Sequence, residues 1–162
     1  SAAESGDTFV ANALLKARHA ANLSRMPAIA DDSGLVVDAL DGRPGVHSAR
    51  YAGPDATDEQ NIDKLLLELR DVPEHRRQAH FHCAVVLVTP DDRVDPVIAE
   101  GSWFGSILPE RSGSGGFGYD PVFLDPVSGK AAAQMSTEEK NAVSHRGKAL
   151  RLLAAAMTSW SP

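Results

Sequence analysis

The segment Gln78–Thr89 limits the fold of this chain more than any other stretch. Successive side chains of an extended chain point to opposite faces. Phe81, Cys83, Val85 and Leu87 therefore share one face, while His80, His82, Ala84, Val86 and Val88 share the other. The second face turns apolar after His82, so the strand is expected to pass from half exposed to fully buried. Its run Cys83–Val88 is far too short to cross a membrane. Val97–Leu108 reads as a second strand, paired antiparallel with the first and interrupted by bulges at Gly101 and Gly105. Trp103 and Phe104 are expected to add core bulk there. The spacing His80-x-His82 suits two metal ligands, but zinc needs three or four, and no third ligand stands nearby in sequence.

Helices are legible from caps and period. Phe9, Ala13, Leu14, Ala17, Ala20 and Ala21 recur at helical spacing, which predicts a helix from Thr8 to Arg25, capped by Asp7 or Thr8. Thr57 with Gln60 forms a capping box before Ile62, Leu65, Leu66 and Leu69, on a helix ending near Val72-Pro73. Ser136 with Glu139 forms another, and a last helix runs through Leu150, Leu152 and Leu153 to Met157. Asp41-Gly42 marks a turn, read as a hairpin, and Pro73–Arg77 a charged loop.

A length of 162 residues suits one domain spanning the chain. Its net charge of −6 argues against a sequence-independent grip on nucleic acid, which needs a basic face. The single cysteine excludes an internal disulfide. No basic-then-apolar secretory signal opens the chain, so the expected location is the cytoplasm.

Three stretches carry candidate chemistry. In Ala28–Val37 the adjacent carboxylates Asp31 and Asp32 must face opposite sides of a regular strand, so one works and the other supports it. Gly34 permits a bend that would end the strand there, and a carboxylate at such a bend can hold Mg²⁺ or orient a water. The same residues also make an ordinary turn. The loop Arg111–Pro121 is rich in glycine and presents Phe117 and Tyr119, on which a base could stack. Asp120, before Pro121, is expected to be extended. Glycine clusters are also simply flexible loops. Lys140, His145, Arg146 and Lys148 gather around a helix start, where the dipole disfavours cations unless an anion binds. A solvated basic patch is the other reading.

ADDSGLVVDALDGRPGVHSARYAG, GGFGYDPVF and EEKNAVSHRGKAL together resemble the inosine triphosphate pyrophosphatase family, the RdgB-type enzymes acting on noncanonical purine nucleoside triphosphates. SGDTFVANALLKARHAA is similar to the same family, and the likeness covers essentially the whole chain. The resemblance implies an α/β fold, a mixed elongated sheet flanked by helices with a nucleotide cleft, and a homodimer. It implies Mg²⁺-dependent hydrolysis of ITP, dITP or XTP between the α- and β-phosphates, with no nucleic-acid or membrane partner. Position by position, Asp32 corresponds to the catalytic proton acceptor and Mg²⁺ ligand, and Ser33 to a substrate contact. Phe117, Gly118, Tyr119 and Asp120 match the nucleotide-contacting segment, Lys140 a substrate-binding lysine, and His145 and Arg146 a pair beside the base. Lys16 corresponds to a lysine at the phosphate end.

The chain departs from that pattern twice. The family's second metal-binding acid falls at Ala3, with Glu4 one step nearer the following glycine as a substitute ligand. The family's opening strand and phosphate-cradling loop, about 35 to 40 residues, have no counterpart before Ser1, and their loss should leave sheet edges or a groove unfilled. That departure keeps open a second expectation, a nucleotide-binding fragment without turnover. A zinc hydrolase built on His80 and His82 is a third.

Overall fold

The computed structural model describes residues 6–160. They form a four-stranded sheet in the order β1 (Ala28–Val37), β2 (Gln78–Val88), β3 (Val97–Ile107), β4 (Phe123–Leu124). Around it stand helices α1 (Phe9–Ser24), α2 (Asp58–Leu69), α3 (Thr137–Val143) and α4 (His145–Met157). The turn from β2 to β3 is too short for a parallel crossover, so these strands run antiparallel. β4 pairs antiparallel with β3 through Ser106↔Leu124 and Ile107↔Phe123. The α/β architecture expected from the resemblance is thus present. Among the described residues no helix is long and apolar enough to cross a membrane.

The chain divides into two compact units, with boundaries inside β1, β2 and β3. The first takes the described residues up to Ser33, His82–Ser102, and those from Ser144 onward. Here β2 is buried on both faces, as its alternation requires. Ala84, Val86 and Val88 meet Ala13, Ala17 and Ala21 of α1, while Cys83, Val85 and Leu87 meet Ala149 and Leu153 of α4. Small alanines let α1 lie close to the sheet. Gly101 does the same for α4: a Cβ there would sit 2.4 Å from the His145 carbonyl oxygen. Gly101 and Gly105 therefore stand within an unbroken β3 and serve close backbone approach, not the expected bulges. His82, on the α1 side, lies between Ser102 Oγ and Glu100 Oε1, each 2.9 Å away, and stacks near Phe9.

The second unit takes Gly34–Phe81 and Trp103–Val143. Its core packs Leu35, Val37, Ile62, Leu65 and Leu69 with Phe81, Trp103 and Phe123. The Phe81 and Trp103 ring centroids lie 4.4 and 4.9 Å from that of Phe123. Phe104 alternates away from this core and is 65% exposed, against expectation. Its ring lies 4.9 Å from that of His80. The Asp41-Gly42 turn leads back only to a single bridge, Val36↔Pro44, and not to a hairpin.

Arg77, expected in a charged loop, is buried. Its guanidinium donates to the carbonyls of Ile107, Leu69, Val72 and Leu108 at 2.9, 2.6, 3.1 and 3.4 Å. It thereby joins the end of α2 to the end of β3, and burial lowers its pKa from the ordinary arginine value. A lysine has no planar fork and cannot reach these acceptors together. Arg77→Lys is expected to cost about 1–3 kcal/mol, because buried carbonyls lose their donors. Urea unfolding at neutral pH checks this, and an unchanged midpoint would show the carbonyls to be satisfied without the fork.

Candidate active site

In the first unit the site begins with the cap of α1. Thr8 Oγ1 accepts from Ala11 N at 3.1 Å, and the buried Asn12 side chain grips both backbone groups of Gly6. One turn later Lys16 Nζ donates to the Asp31 carbonyl at 2.9 Å and to Asp32 Oδ1 at 3.3 Å. Asp32 is only 6% exposed. A carboxylate so buried needs a cation or donors to offset its lost hydration, and Lys16 provides one.

The strand does not end at Gly34, as the bend expected there would require; β1 continues to Val37. Regular pleating then sends the two aspartates to opposite faces. Asp32 turns to Lys16 of α1, and Asp31 Oδ2 accepts from Arg146 Nη2 of α4. A pocket of about 200 Å³ is lined by Asp31, Arg146, Cys83, Ile29 and Leu150, among others. Cys83 is fully buried, and burial pushes its thiol pKa up. Ser33 sits half-buried between Asp32 and Gly34.

Ser144 caps α4 by accepting from Gly147 N, which places His145 and Arg146 in the first turn. The cations expected to require an anion there have acceptors in the protein itself. Arg146 has Asp31, and Lys148 Nζ donates to the Ser102 carbonyl at 2.8 Å. Lys140 belongs to the last turn of α3, where the dipole favours it.

In the second unit the glycine-rich loop is shaped, not loose. Gly115 N bonds the Ala133 carbonyl, and Ser112 N bonds that of Pro121. Gly116 has φ +71, and a Cβ there would lie 2.1 Å from Asp120 Oδ2. Glycine thus frees the space in which the Asp120 carboxylate folds back to accept from Phe117 N at 3.1 Å and from Lys140 Nζ. Asp120 opens a short turn with Pro121, so the extended conformation expected before proline is not adopted. Phe117 is 65% exposed, with Lys140 Nζ 4.5 Å from its ring centroid. Tyr119 is buried instead; its hydroxyl donates to the Ser48 carbonyl at 2.7 Å, and burial raises its pKa. Of the two expected stacking faces, only Phe117 is therefore open.

The predicted residues thus form two groups. Lys16, Asp32, Ser33, His145 and Arg146 lie in the first unit; Phe117, Gly118, Tyr119, Asp120 and Lys140 lie in the second. Glu4 lies outside the described residues. Sequence reasoning missed Ser48 and Asp58, whose bonds to the 117–120 segment span 71 and 60 residues. A family model described as Ham1 family matches residues 1–156.

The chain belongs to the Ham1 family.

It is 59% identical over 153 residues to the dITP/XTP pyrophosphatase of Pectobacterium atrosepticum, covering 94% of this chain and 78% of that protein. The structure of a HAM1 protein from Coxiella burnetii matches with a TM-score of 0.92 and 47% identity, over 98% of this chain and 80% of that one. The Staphylococcus aureus Ham1 protein matches with a TM-score of 0.91 and 42% identity, over the same shares. The resemblance read from the three motifs is thereby borne out, and the Ham1 fold accounts for the sheet and its flanking helices.

Proposed function

We propose that this Ham1 chain hydrolyses noncanonical purine nucleoside triphosphates such as dITP, XTP and ITP to the monophosphate and pyrophosphate. Homology supports the reading first, and the buried Asp32–Lys16 pair gives it a chemical centre. The chain acts as one pyrophosphatase domain, on free nucleotides in the cytoplasm, as a homodimer and without nucleic acid or membrane.

Asp32 accepts the proton of the attacking water and orients it toward the α-phosphorus. The anhydride bond between the α- and β-phosphates breaks, and pyrophosphate leaves with the bridging oxygen. Lys16 offsets the negative charge that develops on the phosphates. Ser33 contacts the same end of the substrate. Phe117 offers its open face to the base, held by Asp120 and Lys140, while Gly118 and Tyr119 shape that segment. His145 and Arg146 face the 6-oxo edge. An adenine presents an amino donor there, and a site built for an acceptor rejects it strongly.

Among the described residues no group of three metal-ligating side chains occurs. Magnesium keeps several waters and takes one or two carboxylates plus phosphate oxygens. The buried carboxylate of Asp32 is a hard oxygen donor of that kind, with Glu4 as the second acid of the proposal. When bound, the ion offsets phosphate charge.

Pyrophosphate release tests this. With Mg²⁺, the protein is expected to release pyrophosphate from ITP with a kcat/KM at least about a hundredfold above that for ATP, the scale of discrimination open to a site that pairs the 6-position. Free phosphate is counted separately. No release from folded protein would favour a nucleotide-binding role without turnover.

A further inference from the structure

The segment Phe117–Asp120 is fastened at each successive residue. Asp120 Oδ2 accepts from Phe117 N, Asp58 Oδ2 accepts from Gly118 N at 2.8 Å, and the Tyr119 hydroxyl donates to the Ser48 carbonyl. Ser48 is itself fixed: its Oγ accepts from Leu35 N at 2.9 Å and donates to the Gly45 carbonyl at 2.6 Å. The product is an exposed phenylalanine ring over a lysine, on backbone that cannot easily swing.

We propose that Asp58 is a positioning residue for the substrate: its carboxylate holds the Gly118 amide, and thereby the Phe117 face, in the arrangement that receives the base. The inference rests on the function proposed above and adds to it a residue outside the three motifs.

Asp58 is free for this task because α2 is capped without it. The Thr57 hydroxyl accepts from Gln60 N and the Gln60 side chain accepts from Thr57 N, completing the capping box. Asp58, the first residue of the helix, instead sends its carboxylate to an amide far along the chain. Gly118 has φ +58, a conformation open to glycine but one that many other backbone states compete with. A charge-assisted bond at that amide selects one of them. The anchors that remain without it, Asp120 and Tyr119, hold the segment on one side of Gly118 through Tyr119 and on the other only through the Phe117 amide. Ordering that would otherwise be completed on binding is thus already present, which favours affinity.

The ordinary alternative is an acidic first-turn residue that merely complements the helix dipole. Glu59 supplies the matching control, because it occupies the same first turn, is exposed, and makes no bond to the 117–120 segment. With pyrophosphate release from ITP as the readout, Asp58→Ala is expected to raise KM relative to wild type about five- to tenfold with kcat within about twofold, a loss of pre-ordered binding and not of chemistry. Asp58→Asn keeps an oxygen acceptor and is expected to restore most of that KM. Glu59→Ala should leave KM unchanged. Amide hydrogen exchange at Gly118 should quicken in Asp58→Ala alone. A wild-type KM in Asp58→Ala, or an equal rise in Glu59→Ala, would overturn the positioning role while the hydrolase reading stands. A wild-type protein that releases no pyrophosphate would overturn the function and this inference with it.

Discussion

Asp32→Asn is expected to lower kcat for pyrophosphate release about a thousandfold while leaving the protein folded, the middle of the range for losing a positioned general base. The substitution is nearly isosteric at a residue only 6% exposed, so it opens no cavity. An asparagine oxygen can still accept from Lys16 Nζ, which lies 3.3 Å from Asp32 Oδ1. What the amide cannot do is take a proton from water, or present a full charge to a hard cation. The lysine loses the Asp32 charge, but its side chain is 31% exposed and can draw on solvent. Unfolding should therefore shift by no more than about 1 kcal/mol, since a partly exposed pair contributes little net. Thermal melts and pyrophosphate release on one preparation separate the two effects. A variant with near-wild-type kcat would remove Asp32 from the role of base and turn attention to acids outside the described residues.

The features that sequence reading recovered are those written in short-range periods and caps. The Thr57–Gln60 box, the two buried faces of Cys83–Val88 and the opposed directions of Asp31 and Asp32 each follow from a handful of neighbouring residues. The misses share another cause. Gly101 and Gly105 read locally as bulges, yet the partner that makes glycine necessary is elsewhere: α4 for Gly101, and the Leu124 carbonyl for Gly105. Arg77 looks like one charge in a polar loop, because its acceptors lie on α2 and at the end of β3. Phe104 and Phe117 are apolar but exposed, while Tyr119 is polar-tipped but buried; which aromatic is covered depends on where the loop is fastened. The candidate site was legible through its resemblance to a family. The bonds that hold it, such as Arg146 to Asp31 across 115 residues, were not, since no local pattern encodes a partner so distant.

Gly101→Ala should damage both stability and turnover, although the residue touches no substrate. A Cβ at this position would lie 2.4 Å from the His145 carbonyl oxygen and 2.8 Å from Ala149 N. Both are backbone atoms of α4, so no rotamer change can relieve the overlap; the helix or the strand must move. Overpacking of this kind costs about 1–3 kcal/mol, and the upper end is expected here because backbone must yield. For a chain of this size that corresponds to a melting point lower by roughly 6–12 °C. The displaced turn is the one that carries Arg146 and Lys148, so their bonds to Asp31 and the Ser102 carbonyl should lengthen together. Gly129→Ala is the control: φ is +70 but nothing lies within 4 Å of its Cβ position, so it should lose only the left-handed backbone penalty of about 1 kcal/mol. If Gly101→Ala melts no lower than Gly129→Ala, α4 does not need its close seat on β3. If it melts lower but keeps wild-type KM for ITP, the seat matters for the fold, and the position of Arg146 is not set by it.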